Sequence, residues 1–95
     1  MKEKNLLQIL SQSHSIAILS SLSQKQMRFV DLKETCRSNR TRSARLKEFE
    51  DKGLVKAVPK MIGKRAYTFY EITPVGKDAL KLGEKLILLE SPKER

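Results

Sequence analysis

Ser38-Asn39-Arg40-Thr41-Arg42-Ser43-Ala44-Arg45-Leu46-Lys47-Glu48-Phe49-Glu50-Asp51-Lys52-Gly53-Leu54-Val55 reads as a helix with its start and stop signals written in. Serine and asparagine at the head accept hydrogen bonds from the free N–H groups of a first turn. Gly53 stands where a left-handed C-terminal residue belongs. The spacing predicts a helix over about 39–52, with Leu46 and Phe49 as its inner stripe. The stem of Arg42 extends that stripe one turn earlier, and its charged head is expected to snorkel outward. At ~100° per residue, Asn39, Arg40, Ser43, Ala44 and Lys47 then share the opposite flank. That flank carries no acid, because Glu48, Glu50 and Asp51 all come later.

Upstream, Phe29, Leu32 and Cys36 fall at i, i+3 and i+7, one face of a short helix. Arg37-Ser38-Asn39 supplies the turn between the two helices, which together make a helix-turn-helix unit. Ser23 to Gln26 reads as a loop and Met27-Arg28 as a very short strand. Leu6, Leu7, Ile9 and Leu10 form one apolar cluster, and Ile16 to Leu19 with Leu22 form another. Ser11 to Ser15, with His14, stand between them, so this region is one kinked helix or two.

Downstream, Leu54 to Val58 alternates like a strand, Pro59 to Arg65 is a basic loop turning at Gly63, and Ala66 to Ile72 is a second strand. The pair predicts a β-hairpin over about 54–72. Thr73-Pro74 opens a last helix over about 74–90, and Ser91 to Arg95 is expected to fray. The expected fold is mainly α with a small antiparallel β-hairpin: a single winged helix-turn-helix domain over 1–95, with a C-terminal dimerisation helix.

The chain has 95 residues and a formal charge of +9, an excess that points to a polyanionic partner. Between Lys25 and Arg65 thirteen cations face five acids, so +8 of the excess lies on the helix-turn-helix and hairpin. A single cysteine, Cys36, permits no internal disulfide. No apolar run nears the ~20 residues that span a bilayer, and the N-terminus does not read as a signal peptide, so a cytoplasmic, DNA-associated protein is expected. One histidine and one cysteine make no metal site, and no catalytic constellation or cofactor motif stands out. We expect neither an enzyme nor a cofactor or metal.

The acid-free flank carries the chemistry of duplex DNA recognition. Arginine, here Arg40, bonds guanine bidentately, and asparagine, here Asn39, bonds adenine. Ser43 suits a base edge or a phosphate, Ala44 a thymine methyl or a close approach, and Lys47 a phosphate. The first turn, capped by Ser38, offers N–H groups to a phosphate. Lys60, Lys64 and Arg65 at the hairpin tip suit phosphates or a minor groove, with Arg28 and Arg37 on the flanks.

Three strings, "RFVDLK" (28–33), "SARLKEFEDKGLV" (43–55) and "YEITPVGK" (70–77), make residues 14 to 90 resemble winged-helix transcriptional regulators of the HxlR, MarR and PadR types and small archaeal relatives. The resemblance implies a three-helix core with a wing, homodimerisation through terminal helices and binding to palindromic operators. It assigns recognition-helix roles to Asn39, Arg40, Arg42, Ser43 and Lys47, and wing roles to Lys64 and Arg65. HxlR-type proteins usually carry an N-terminal cysteine and an early Gly-Lys-Trp segment; this chain has neither, so redox or aldehyde sensing does not carry over. Arg42 is a second departure, since many relatives have an apolar residue there.

Val75, Ala79, Leu82, Leu86 and Leu89 follow the 4-3-4-3 spacing of a coiled-coil seam, with Leu80, Gly83 and Ile87 beside it. One stripe is expected to cover the core and the other to meet a second copy, joined by Leu6, Leu7 and Leu10. The expectation is therefore a homodimeric regulator on a palindromic duplex site, with no membrane partner and no residue marking an effector site. Two alternatives stay open on the sequence: a non-specific architectural DNA-binding protein, and a winged-helix module that binds protein.

Overall fold

Asn5 opens the first helix with a reciprocal cap. Its side chain accepts from the Gln8 amide at 2.8 Å, and the Gln8 side chain accepts from the Asn5 amide at 2.8 Å. Helix α1 (Leu6–Ser11) follows, then α2 (Ser15–Gln24). The computed structural model describes residues 4–90, so the expected fraying of Ser91 to Arg95 lies outside the described residues. Two helices, not one, form here because His14 takes a left-handed φ of +69°, which breaks the helical path. The Ser15 hydroxyl reaches back across the break to the Ile9 carbonyl at 2.6 Å.

Strand β1 (Met27–Arg28) is as short as its sequence suggests, and Val30–Glu34 forms a 3-10 helix. The helix here is thus tighter than the α-helical stripe the spacing predicts, though Leu32 and Cys36 are buried and Phe29 packs against the core. Helix α3 (Asn39–Asp51) starts where Ser38 accepts from the Thr41 amide at 3.1 Å. It ends on Gly53, at φ +75°. The Gly53 amide bonds the Glu50 carbonyl (3.0 Å) and the Leu54 amide bonds the Phe49 carbonyl (2.8 Å). This pair of bonds is the Schellman closure, with Leu54 and Phe49 buried together beside it.

Strands β2 (Val55–Ile62) and β3 (Arg65–Ile72) are each longer than expected. They pair antiparallel from Val55↔Ile72 to Ile62↔Arg65, and β1 pairs with β3 on the far side, giving the order β1-β3-β2. The segment 59–65 is therefore not a loop. The turn is only Gly63-Lys64, with Gly63 at φ +64° as a two-residue hairpin turn needs. Pro59 fits inside β2 because β2 is an edge strand. The register puts Pro59↔Thr68 at a non-hydrogen-bonded pair, where the missing N–H would face outward.

Beyond Val55 and Ile72 the hairpin is mostly exposed, so it projects from the body. The core beneath it joins Ile9, Ile18, Leu19, Leu32, Leu46, Phe49 and Leu54 with Ala79 and Leu80 of α4 (Pro74–Glu90). No helix among the described residues is long and apolar enough to cross a membrane.

Two glycines seat α4. A Cβ on Gly76 would stand 2.0 Å from the Leu54 carbonyl oxygen and 2.7 Å from Ile72 Cγ1. A Cβ on Gly83 would meet Ile16 Cδ1 at 2.2 Å, the far end of a flexible side chain. Gly76→Ala must displace backbone and should cost at least about 2 kcal/mol. Gly83→Ala should change stability by less than about 1 kcal/mol, because Ile16 can turn aside and alanine favours the helix. Urea unfolding of the two variants checks this; equal losses would contradict the seating of α4 on Leu54.

Candidate nucleic-acid interface

The inner stripe of α3 is Arg42, Leu46 and Phe49, all buried. Helical geometry therefore turns Asn39, Arg40, Ser43, Ala44 and Lys47 to the exposed side, as their spacing predicts. Arg37 and Ser38 are exposed in the turn before them. Ser38 already uses its oxygen as the cap of α3. Lys64 occupies the hairpin turn and Arg65 the first position of β3, both exposed.

The cations of the candidate site separate into two groups. Arg37, Arg40, Lys47, Lys64 and Arg65 have no hydrogen bond, ion pair or ring contact among the described residues. The others are engaged. Arg28 lies 3.3 Å from the Asp31 carboxylate and 5.5 Å from the Tyr67 ring centre. Hydrogen bonds from the Arg28 side chain and amide hold the Asp31 carboxyl below its usual range. The Lys60 ammonium stands 4.9 Å from the Phe69 ring centre. In the sheet register Arg28, Lys60, Tyr67 and Phe69 share one face, opposite the one that meets the core.

Arg42 corrects the sequence reading. It is 2% exposed, so its head does not snorkel outward and is withdrawn from the flank. The guanidinium stacks 4.4 Å from the Phe29 ring centre, and its Nη2 donates to Asn39 Oδ1. Its Nε and Nη1 are buried with no hydrogen-bond partner among the described residues. Phe29 as a platform for Arg42 goes beyond the sequence reading. The visible signal is an arginine at an inner-stripe position, with an aromatic residue on the preceding helical turn.

A second cluster outside the sequence reading ties α3 to the N-terminus. Glu48 accepts from Lys4 at 2.9 Å and from Gln12 at 2.7 Å, and Lys4 also donates to Gln12. Arg45 donates to the Ser13 carbonyl at 2.8 Å and lies 3.8 Å from Glu48. Burial pushes the Glu48 carboxyl up, but the hydrogen bonds from Lys4 and Gln12 and the nearby charges outweigh it and hold the carboxyl low. Partners separated by 36 and 44 residues leave no mark in local sequence pattern.

The expected dimer seam divides. Ala79, at 2%, and Leu10, at 6%, are buried in the chain's own core, which corrects their placement in an interface. Gly76, Leu80 and Gly83 complete the inward side of α4. Val75, Leu82, Leu86 and Leu89 remain exposed, with Leu6 and Leu7 of α1. Ile87 and Leu88 are exposed too, so the C-terminal part of α4 carries apolar residues beyond a single seam.

The family described as HxlR-like helix-turn-helix matches residues 9–89. By sequence alone, no curated protein matches the chain. Among solved structures, a PadR family transcription regulator from Clostridium difficile R20291 is 23% identical, with a TM-score of 0.71 over 78% of this chain and 85% of its own. A putative MarR family regulator from Enterococcus faecalis V583 is 21% identical, with a TM-score of 0.75 over 88% of this chain and 77% of its own. Diamide-treated YodB from B. subtilis is 21% identical, with a TM-score of 0.75 over 84% of this chain and 80% of its own. At these identities the structural likenesses establish the winged-helix fold.

The low-held Glu48 carboxyl gives stability a pH dependence of known sign. A carboxyl with a lowered folded-state pKa contributes above its unfolded value and loses that contribution as the pH falls through the folded one. Stability should therefore decline as the pH falls through and below the ordinary glutamate range. The decline should be shallower in Glu48→Gln, by about 1 kcal/mol or less because the site is partly open to water. Urea unfolding at a series of pH values measures both slopes; parallel slopes would remove Glu48 from the account.

Proposed function

Because the chain belongs to the HxlR-like helix-turn-helix family of winged-helix transcription regulators, we propose that it works in the cytoplasm as a single-domain homodimer that binds a palindromic duplex site. The observation that carries this reading is the solvent-facing flank of α3. Asn39, Arg40, Ser43, Ala44 and Lys47 stand exposed there, and neither Arg40 nor Lys47 is neutralised within the described chain.

In this reading α3 enters the major groove. Arg40 bonds a guanine edge, Lys47 and Arg37 grip phosphates, and Ala44 lets the helix approach closely. Lys64 and Arg65 bring the hairpin turn to the flanking backbone or minor groove, with Lys60 and Arg28 on the supporting face of the sheet. Arg28 contributes less than its sequence position promises, since Asp31 already pairs with it. The exposed Leu82, Leu86 and Leu89 of α4, with Val75, Leu6 and Leu7, support the dimer, because leaving them in water carries a hydrophobic cost that a second copy removes. A two-fold dimer sets two copies of α3 about 34 Å apart or a multiple of it.

Selection from random duplex DNA should enrich an inverted repeat. Arg40→Ala should weaken binding to it by about 1–3 kcal/mol and relax one position per half-site. Lys64→Ala should weaken all duplexes alike and reduce the salt slope by about 1 for each phosphate left without its cation. Retained affinity with no enriched sequence would overturn site-specific regulation in favour of architectural binding. In sedimentation equilibrium the chain should be a dimer, and Leu86→Glu with Leu89→Glu should shift it towards monomer; a wild-type monomer would sink the two-fold arrangement.

A further inference from the structure

Arg42 works against the stability of the fold at the place it occupies. Its charge is buried at 2% exposure, and two of its nitrogens lack partners among the described residues. It also sits near the N-terminal turn of α3, where the helix dipole disfavours a cation. In return it has the Phe29 ring at 4.4 Å and one acceptor, Asn39 Oδ1.

That acceptor has a consequence for the exposed flank. A guanidinium carries donors only, so the Asn39 atom facing it must be the oxygen. The orientation of the carboxamide is therefore settled by chemistry. The Nδ2 amino group then has no bond to Arg42, on a residue that is itself exposed. Asn39 is the only residue of the flank bonded to a charge inside the protein among the described residues.

We propose that Arg42 is a positioning residue that sets the hydrogen-bonding polarity of Asn39, holding its oxygen inward so that Asn39 meets the groove as a donor. This rests on the reading of α3 as the groove-entering helix. Bidentate recognition of adenine needs both an acceptor for N6 and a donor to N7. With the oxygen drawn inward onto Arg42, the carboxamide is not free to turn both its oxygen and its amino group to one adenine edge. It instead suits a base edge made only of acceptors, guanine O6 and N7. A buried, apolar-walled arginine thereby acts on base choice without touching DNA.

The test uses the full chain and three proteins: wild type, Arg42→Met and Asn39→Asp. Methionine keeps the apolar stem and removes the orphan donors, so Arg42→Met should fold at least as stably as wild type. Asn39→Asp keeps a partner for Arg42 and removes the outward donor, which guards against misfolding as the cause of any change. At the half-site position that Asn39→Asp relaxes, wild type should select guanine. Arg42→Met, with its carboxamide free to rotate, should gain adenine relative to guanine by on the order of tenfold. In the free protein, NMR relaxation of the Asn39 side-chain NH2 should show a restrained group in wild type and a mobile one in Arg42→Met. An unchanged base preference in Arg42→Met, or equal mobility of the Asn39 amide in both proteins, overturns the proposal. Failure of wild type to bind any duplex overturns the groove-entry reading and the specificity role with it, and a restrained amide in that case shows that the Arg42–Asn39 bond itself still stands.

Discussion

The junction at Gly53-Leu54 and Thr73 to Gly76 is the constraint on which the geometry depends. The Thr73 hydroxyl donates to the Gly53 carbonyl at 2.7 Å and accepts from the Gly76 amide at 2.9 Å. The Thr73 amide bonds the Leu54 carbonyl at 2.9 Å, the same oxygen that leaves no room for a Cβ on Gly76. In a few residues the end of α3, the base of the hairpin and the start of α4 are locked together. Moving any one element would break bonds in the other two. The exposed flank of α3, the projecting hairpin and the apolar end of α4 therefore keep fixed relations to one another, as simultaneous contact with a long, regular partner demands.

Most of this arrangement is legible where the signal is local. Ser38, Gly53 and Thr73-Pro74 mark helix ends by backbone hydrogen-bonding chemistry that operates within a few residues, and all three act where their types suggest. The outward placement of Asn39, Arg40, Ser43, Ala44 and Lys47 follows from helical periodicity alone. The full length of the hairpin is hidden because Pro59 and Lys60 look like loop residues, whereas an edge strand in water tolerates them. The seam on α4 divides differently from its spacing because spacing cannot say which apolar stripe meets the chain's own core. Ala79 and Leu10 are inside because α4 and α1 fold over α2, a tertiary fact. Arg42 departs from expectation for the same reason: snorkelling is the default for a lone helix, and the Phe29 ring that keeps the head inside comes from another element.

A net charge of +9 is a poor description of this surface until its members are sorted. Arg45 and Lys4 hold α3 to the N-terminal segment through Ser13 and Glu48. Arg28 is paired, Lys60 covers an aromatic ring, and Arg42 is inside. Of the candidate-site cations, Arg37, Arg40 and Lys47 before and along α3, and Lys64 and Arg65 at the hairpin turn, are left without a partner among the described residues. A smaller number of free charges, placed on rigid elements, gives a more directional field than an even spread of the same total.

Pro59 has a bearing on how the protein behaves in a crowded solution. A ribbon as long and bare as β2 and β3 offers its outer edge to any other extended chain, the usual route to unwanted sheet growth. A proline facing outward on that edge interrupts the row of donors a newcomer would need. The wing can thus reach well clear of the body and carry exposed Met61 and Ile62 without presenting a template for fibrils.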